Sequence, residues 1–315
     1  AATATGPSYP NRGAGYNYFN GTDWSETNGD RVETNSRSGW PSIMDLGDGT
    51  EAILAHESNT GGFVYSTNDS RGSRTFSSQS ILDDVSVSGE NRVPIWNRSA
   101  ASNGKIHIIS NYWVSEASNV PLVTRAGVFS PTTYSRWNIA GDTAEVSHIL
   151  LPGYDSTLYA GGGGDNYAID VRDSIVAILI GGFADPVSLW KSTDNGETWT
   201  YTDVDQLPYK GANASVELFL SQDTLITNDG SLDVMIDGSG KVHAFWGTSL
   251  IFGAIDPNSG DTTTTGRVTE ASLAYWTEGD TARRIGGFID MDNNGVIDIS
   301  TATFATLDAN DNLPS

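Results

Sequence analysis

Ser192-Thr193-Asp194-Asn195-Gly196-Glu197-Thr198-Trp199 fits the pattern S-x-D-x-G-x-T-W at every fixed position. Each fixed residue has a physical reason to be there. The Ser and Asp side chains bond main-chain N–H groups across a hairpin turn, Gly takes a position with φ > 0, and the Trp plugs the gap between strands. Such an octapeptide builds a fold and performs no chemistry.

Its flanks repeat one unit along the chain. Pro41–Asp45 leads through Gly47-Asp48-Gly49 into Ala52–Ala55, and Val93-Pro94-Ile95 leads through Ser102-Asn103-Gly104 into Ile106–Ile109. Tyr167–Asp170 turns at Arg172-Asp173 into Ile175–Ile180, and Asp233–Ile236 turns at Asp237–Gly240 into Val242–Trp246. Each is a hairpin of apolar strands joined by an Asx/Gly turn. Degraded copies of the octapeptide are expected at Ser66-Thr67-Asn68 with Gly72 and Thr75-Phe76, and from Phe129-Ser130 to Trp137. A repeat of roughly 50 to 80 residues with long loops reads as a β-propeller of four-stranded antiparallel blades. The expected division is a partial blade at 1–35, repeats at 36–91, 92–163, 164–230 and 231–311, and the start of another at 312–315. Residues 1–315 then form one propeller or most of one. Leu313-Pro314-Ser315 matches Trp40-Pro41-Ser42, and Tyr16–Trp24 reads as outer strands without an inner hairpin, so a segment of a longer polypeptide is expected.

Composition agrees with many short strands: 35 Gly, 9 Trp and 12 Tyr in 315 residues, with no sustained helical period. A net charge of -22, from 39 acidic against 17 basic residues, excludes a surface that tracks nucleic-acid phosphates and disfavours an anionic membrane. The longest apolar run, Ile175–Ile180, is strand length, so no direct membrane insertion is expected. With no Cys, thiol catalysis and Cys-based zinc sites are excluded.

The octapeptide resembles the Asp box of the sialidase-like, BNR-repeat propellers. Together with Asn11–Gly21, Ser38-Gly39-Trp40-Pro41-Ser42 and the paired Gly104-Lys105-Ile106-His107 and Gly240-Lys241-Val242-His243, it makes the chain resemble secreted Asp-box propellers of Bacteroidetes-type bacteria. The resemblance implies export by type IX secretion, and hence an extracellular or cell-surface location. Members carry a C-terminal sorting domain, which is not found in this sequence, so truncation or maturation is expected. It also implies O-glycans at Asp-(Ser/Thr)-(Ala/Ile/Leu/Met/Val/Thr), met here at Thr143, Ser156, Ser174, Thr224, Thr262 and Thr281.

Asp290, Asp292, Asn294 and Asp298 place oxygens at positions 1, 3, 5 and 9 of a loop with Gly295 at 6, the layout of a calcium loop. Thr301 stands at position 12 in place of the bidentate Glu. A polar hairpin turn of Asx type fits the same residues, and both readings stay open. Hydrolysis of a sialoside would need several Arg on one carboxylate, a Tyr activated by a Glu, and an Asp acid. Arg92-Val93-Pro94 resembles the Arg-Ile-Pro element of sialidases, yet Pro94 also aligns with Pro41 and Pro314, which favours a repeated strand start. Arg125, Arg172, Arg283 and Arg284 have no sialidase context, and no Tyr and Glu pair stands out.

His107 and His243 fall at one place in two repeats, so packing or hydrogen bonding on an inner strand is expected of them, with a metal site using both as the alternative. Trp96, Trp113, Trp137, Trp246 and Trp276 read mostly as core plugs, with one or two at the rim free to stack on a sugar ring, while His56 and His148 lack an evident partner. Gly161–Gly164 before Asp165 reads as a flexible turn, since no Lys-Ser/Thr follows. With no catalytic set assembled, the expected function is a non-catalytic surface module for adhesion, glycan or protein binding, or surface assembly. Its partners are then a glycan, a surface protein, or other copies or segments of the same protein. A sialidase-like glycoside hydrolase and a structural subunit of an extracellular filament are the competing expectations.

Overall fold

The computed structural model describes residues 9, 11–25, 29–33, 36–57, 62–82, 92–114, 125–183, 185–221, 224–255 and 262–287. A short pair, β1 (Gly15–Tyr16) and β2 (Asp30–Arg31), precedes the larger sheets. The first blade is β3 (Ser38–Asp45), β4 (Glu51–Glu57), β5 (Phe63–Thr67) and β6 (Ser77–Ile81). The second is β7 (Arg92–Ser102), β8 (Lys105–Val114), β9 (Thr132–Asn138) and β10 (Thr143–Ile149). The third is β11 (Tyr167–Arg172), β12 (Ile175–Gly182), β13 (Asp185–Ser192) and β14 (Thr200–Asp205). After helix α1 (Ala214–Ser221), the fourth follows as β15 (Thr224–Ile236), β16 (Val242–Ile255), β17 (Thr262–Thr277) and β18 (Arg283–Gly287). Every sheet is an antiparallel meander in chain order, and the chain is all-β in the manner of a β-propeller.

Local sequence explains the meanders. The β7–β8 link is Asn103-Gly104, both at positive φ (50° and 69°), the turn whose twist matches its strands. Asp173 at φ 51° closes β11 on β12 in the same way.

The second strand of each blade has an apolar run because both of its faces are covered. Ala52 and Leu54 of β4 pack with Ile106, Ile108 and Trp137 of the second blade, while Ile53 between them turns to Tyr16 and Val32. In β12, Val176, Ile178 and Ile180 join Ile109 and Tyr134 of the second blade, while Ala177 and Leu179 join Val234, Val242 and Trp246 of the fourth. This is period-2 alternation serving two interfaces at once. Each fully buried Leu or Ile contributes roughly 1.5–3 kcal/mol there.

His107 and His243 lie at matching places on β8 and β16, and each bonds a Tyr hydroxyl of the third strand, Tyr134 or Tyr275, at 2.7 Å. One detail differs from expectation. The segment Phe129 to Trp137 is no outer turn: Thr132–Asn138 is itself the third strand, and the turn to β10 lies at Ile139–Asp142. Aromatic spacing there was set by burial, with Tyr134 and Trp137 both in the core.

Candidate active site

The first strands β3, β7, β11 and β15 lie side by side. Three of them carry a bulge near the same end: between Gly39 and Ser42, between Ile95 and Arg98, and between Asn228 and Leu232. A bulge re-aims side chains. In the first two it places Trp40 at φ 51° and Trp96 at φ 55°, a conformation that costs a bulky residue roughly 1–2 kcal/mol.

The two indoles meet edge to face, with centroids 6.1 Å apart, and Trp40 stacks on His56 at 5.7 Å. Trp40 Nε1 donates to Oδ1 of Asp165 at 3.3 Å, and Arg98 Nη2 donates to the same oxygen at 2.8 Å. The first blade, the second blade and the loop entering the third therefore converge on one carboxylate. That carboxylate is 66% exposed, and no side chain of the described residues bonds its Oδ2.

Packing around these groups is tight. The Trp96 main-chain N–H donates to Nδ1 of His56 at 3.1 Å, and Arg12 Nη2 lies 3.4 Å from Nε2. Burial first, then the Arg12 and Arg37 charges, push His56 down to about 4, so it is neutral at physiological pH. Tyr167 donates its hydroxyl to the Trp96 carbonyl. The glycine run before Asp165 is a close approach and not a loose turn: a Cβ at Gly164 would lie 2.6 Å from Cδ2 of Trp96. On the fourth blade's bulge Asp229 is exposed, its Oδ1 accepting the Ser231 N–H at 2.8 Å.

Most residues singled out in the sequence lie elsewhere. The octapeptide closes the turn between β13 and β14. Ser192 Oγ accepts the Gly196 N–H at 2.8 Å, Asp194 Oδ1 accepts the Thr198 N–H at 2.9 Å, and Trp199 packs edge-on against Tyr134 at 5.0 Å. Ser66–Phe76 occupies the matching turn between β5 and β6, where Asn68 bonds Glu51. Asp290, Asp292, Asn294 and Asp298 lie outside the described residues. Among the described residues no group of three or more His, Asp and Glu is placed to hold a metal. Thr143 and Thr281 are exposed, Ser156 and Ser174 half-buried, and Thr224 and Thr262 open β15 and β17. The arginines do not converge: Arg125 bonds the His148 carbonyl, Arg172 the Ile236 carbonyl, and Arg283 pairs with Asp280. Of the tryptophans, Trp137, Trp246 and Trp276 are core plugs as expected, whereas Trp96 lines the site.

No family model and no curated protein sequence matches the chain. Among solved structures it is similar to an α-L-arabinanase of Penicillium chrysogenum complexed with arabinobiose, at 9% identity and TM-score 0.43, over 79% of this chain and 67% of that one. It is similar to an ulvan lyase, a polysaccharide lyase bound to a saccharide of glucuronic acid and sulfated rhamnose, at 11% identity and TM-score 0.45. That match covers 84% of this chain and 58% of the lyase. A Bacillus subtilis arabinanase matches at 12% identity and TM-score 0.40, over 75% of this chain and 70% of that one. These similarities concern the fold. They correct the expectation of a non-catalytic adhesion module, because the structures this chain is similar to are enzymes that degrade glycans.

Proposed function

We propose that this chain is a glycan-degrading enzyme whose site is the mouth built by Trp40, Trp96, Arg98 and Asp165. The observation that carries the reading is the convergence of Trp40 and Arg98 on one oxygen of Asp165, which leaves the other oxygen open beside two indole rings. Indole faces stack on the C–H face of a sugar, and a carboxylate held by two donors is oriented to accept a proton or to attack an anomeric carbon. Among the described residues no three arginines share one acceptor at the site, where Arg98 bonds Asp165 and Arg12 lies beside His56, so sialoside specificity is not part of the proposal.

The test is release of reducing ends, or of unsaturated ends, from arabinan, ulvan and a panel of plant and algal polysaccharides. Asp165→Asn, folded as judged by circular dichroism, is expected to lose activity. A wild type inert on the whole panel overturns the reading.

The finer setting is also a proposal. Support for an Asp-box propeller of the sialidase-like type is the octapeptide with its Ser192 and Asp194 bonds. Support for secretion and O-glycosylation is the sequence resemblance and its six motif matches. Calcium at Asp290, Asp292, Asn294 and Asp298 rests on loop spacing, and unchanged melting on chelation would remove it. Intact mass of the secreted protein tests the glycans.

A further inference from the structure

We infer that Asp185 and Asn166 form the second half of this site, with Asp185 as the proton donor to the departing glycosidic oxygen and Asn166 as the amide that receives a sugar hydroxyl beside it. The inference rests on the reading of the chain as a glycan-degrading enzyme, and it names the group which that reading still lacks. Glycoside cleavage by carboxylates takes two of them, one basic and one acidic.

Asn166 directly follows Asp165, so their Cα atoms are ~3.8 Å apart. Its side-chain amide is cradled by three glycines from different segments. A Cβ at Gly163 or at Gly182, the last residue of β12, would lie 2.8 Å from Asn166 Nδ2, and one at Gly230 in the β15 bulge 2.9 Å from Oδ1. Despite this enclosure, the amide makes no side-chain hydrogen bond among the described residues. A half-buried amide held by shape and left with its polar atoms unspent is arranged for a ligand hydroxyl.

The Asp185 carboxyl opens onto the same spot. Its Oδ2 lies 2.8 Å from the position a Cβ on Gly182 would take, the point Asn166 Nδ2 also approaches. The groups that face it are the Ala160 main-chain N–H, Asn166, and the phenols of Tyr154 and Tyr159. None is cationic. Burial therefore dominates and lifts Asp185 to about 7, so that it carries its proton at mildly acid pH. Burial also raises both phenols, which keeps them neutral across this range. Asp165, by contrast, has Arg98 as a counter-ion. Two carboxyl groups in opposite environments divide the roles of acid and base.

A water oxygen bonds to the anomeric carbon while Asp165 takes a proton from that water. The bond from the anomeric carbon to the glycosidic oxygen breaks, its electron pair stays on oxygen, and that oxygen takes the Asp185 proton. Solvent then reprotonates Asp185 and deprotonates Asp165.

The experiment compares wild type, Asp185→Asn and Asn166→Ala on the polysaccharide that the wild type degrades and on the 2,4-dinitrophenyl glycoside of its terminal sugar. A dinitrophenolate leaves without a proton. Asp185→Asn is expected to lose about 10²- to 10⁴-fold in kcat on the polymer, to keep most of its rate on the aryl glycoside, and to lose the alkaline limb of the pH profile near pH 7. Asn166→Ala is expected to raise KM on both substrates. Equal loss of Asp185→Asn on both substrates, or an unchanged pH profile, overturns the donor assignment while the enzyme reading stands. A wild type without activity on any glycan overturns both together.

Discussion

Arg136 donates to Glu197 at 2.6 Å and thereby ties the third strand of the second blade to the octapeptide turn of the third. The same guanidinium bonds Glu145 at 2.7 Å and the Asn195 carbonyl at 2.7 Å, and its side chain is only 4% exposed. A buried cation with three acceptors is costly to strip of any one side. Arg136→Met leaves Glu145 to Lys105 and the Asn138 amide and leaves the Asn195 carbonyl without its donor. We expect a loss of about 2–4 kcal/mol, below the full buried-pair value because Glu197 is 64% exposed. Urea unfolding measures it, and a loss under ~0.5 kcal/mol, the scale of a surface pair, would refute the tie.

Glycines with the same backbone sign are not equivalent here. Gly196 sits at φ +81° with the Tyr134 hydroxyl in the space a Cβ would occupy, whereas Gly21 sits at φ +102° with nothing within 4 Å. Gly21→Ala is therefore expected to cost about 1 kcal/mol of backbone strain, and Gly196→Ala at least ~2 kcal/mol, strain plus displacement of Tyr134. Equal melting temperatures for the two variants would show that the octapeptide turn is not packed as described.

Acid should unfold this protein through its histidines. His56, His107 and His148 are held down to about 4, 3 and 4, in each case chiefly by burial. Their folded pKa values lie below the unfolded 6.5, so the unfolded chain binds more protons below pH 6.5. Stability is full above that value and falls as pH drops toward 4. Asp185 acts in the opposite sense: its folded pKa near 7 exceeds the unfolded 3.8, so its contribution grows as pH falls through 7. Glu33 and Asp205, also raised by burial but less, act with Asp185, and the larger shifts of the three rings decide the sign. Denaturant midpoints at pH 7 and pH 5 should show a net loss of several kcal/mol on acidification, to order of magnitude. A midpoint that rises on acidification would contradict the burial of the three rings. Asp185→Asn should be more stable than wild type at pH 8, where the wild type buries a carboxylate, and close to it at pH 5.

The blades were legible because each is a local pattern. The four inner hairpins run over neighbouring residues, and the octapeptide states its own turn through Ser192, Asp194 and Gly196. The site was not legible, because it joins strand ends that the pattern never relates. Trp40 and Asp165 are 125 positions apart, and nothing in either neighbourhood marks the other. Trp96 shares its spacing with true core plugs, and only the bulge after Ile95 turns it toward the site. Asp185 begins a strand with no motif around it. One signal was present: four consecutive glycines before an acidic residue, Gly161 to Asp165, read as looseness when they are required by the close approach of Asn111, Trp96 and Asn166. His56 likewise lacked a partner in sequence because its partners, Arg12 and Trp96, come from flanking segments.

Under the proposed function Trp40 has two separable duties, and two substitutions divide them. Its Nε1–H orients Asp165, and its ring face, stacked on His56 and edge-on to Trp96, supplies the platform. Trp40→Phe keeps an aromatic face and removes the donor. Arg98 still holds the same oxygen at 2.8 Å, so the lost bond is one of two and is worth about 1 kcal/mol. A fall in kcat of roughly fivefold with little change in KM follows. Trp40→Ala removes the face as well, and the lost stacking and apolar contact should raise KM by about tenfold or more on the degraded polysaccharide. Steady-state kinetics on that polymer separate the two: if Phe and Ala raise KM alike, the ring does not carry the sugar, and Trp40 serves only to hold Asp165.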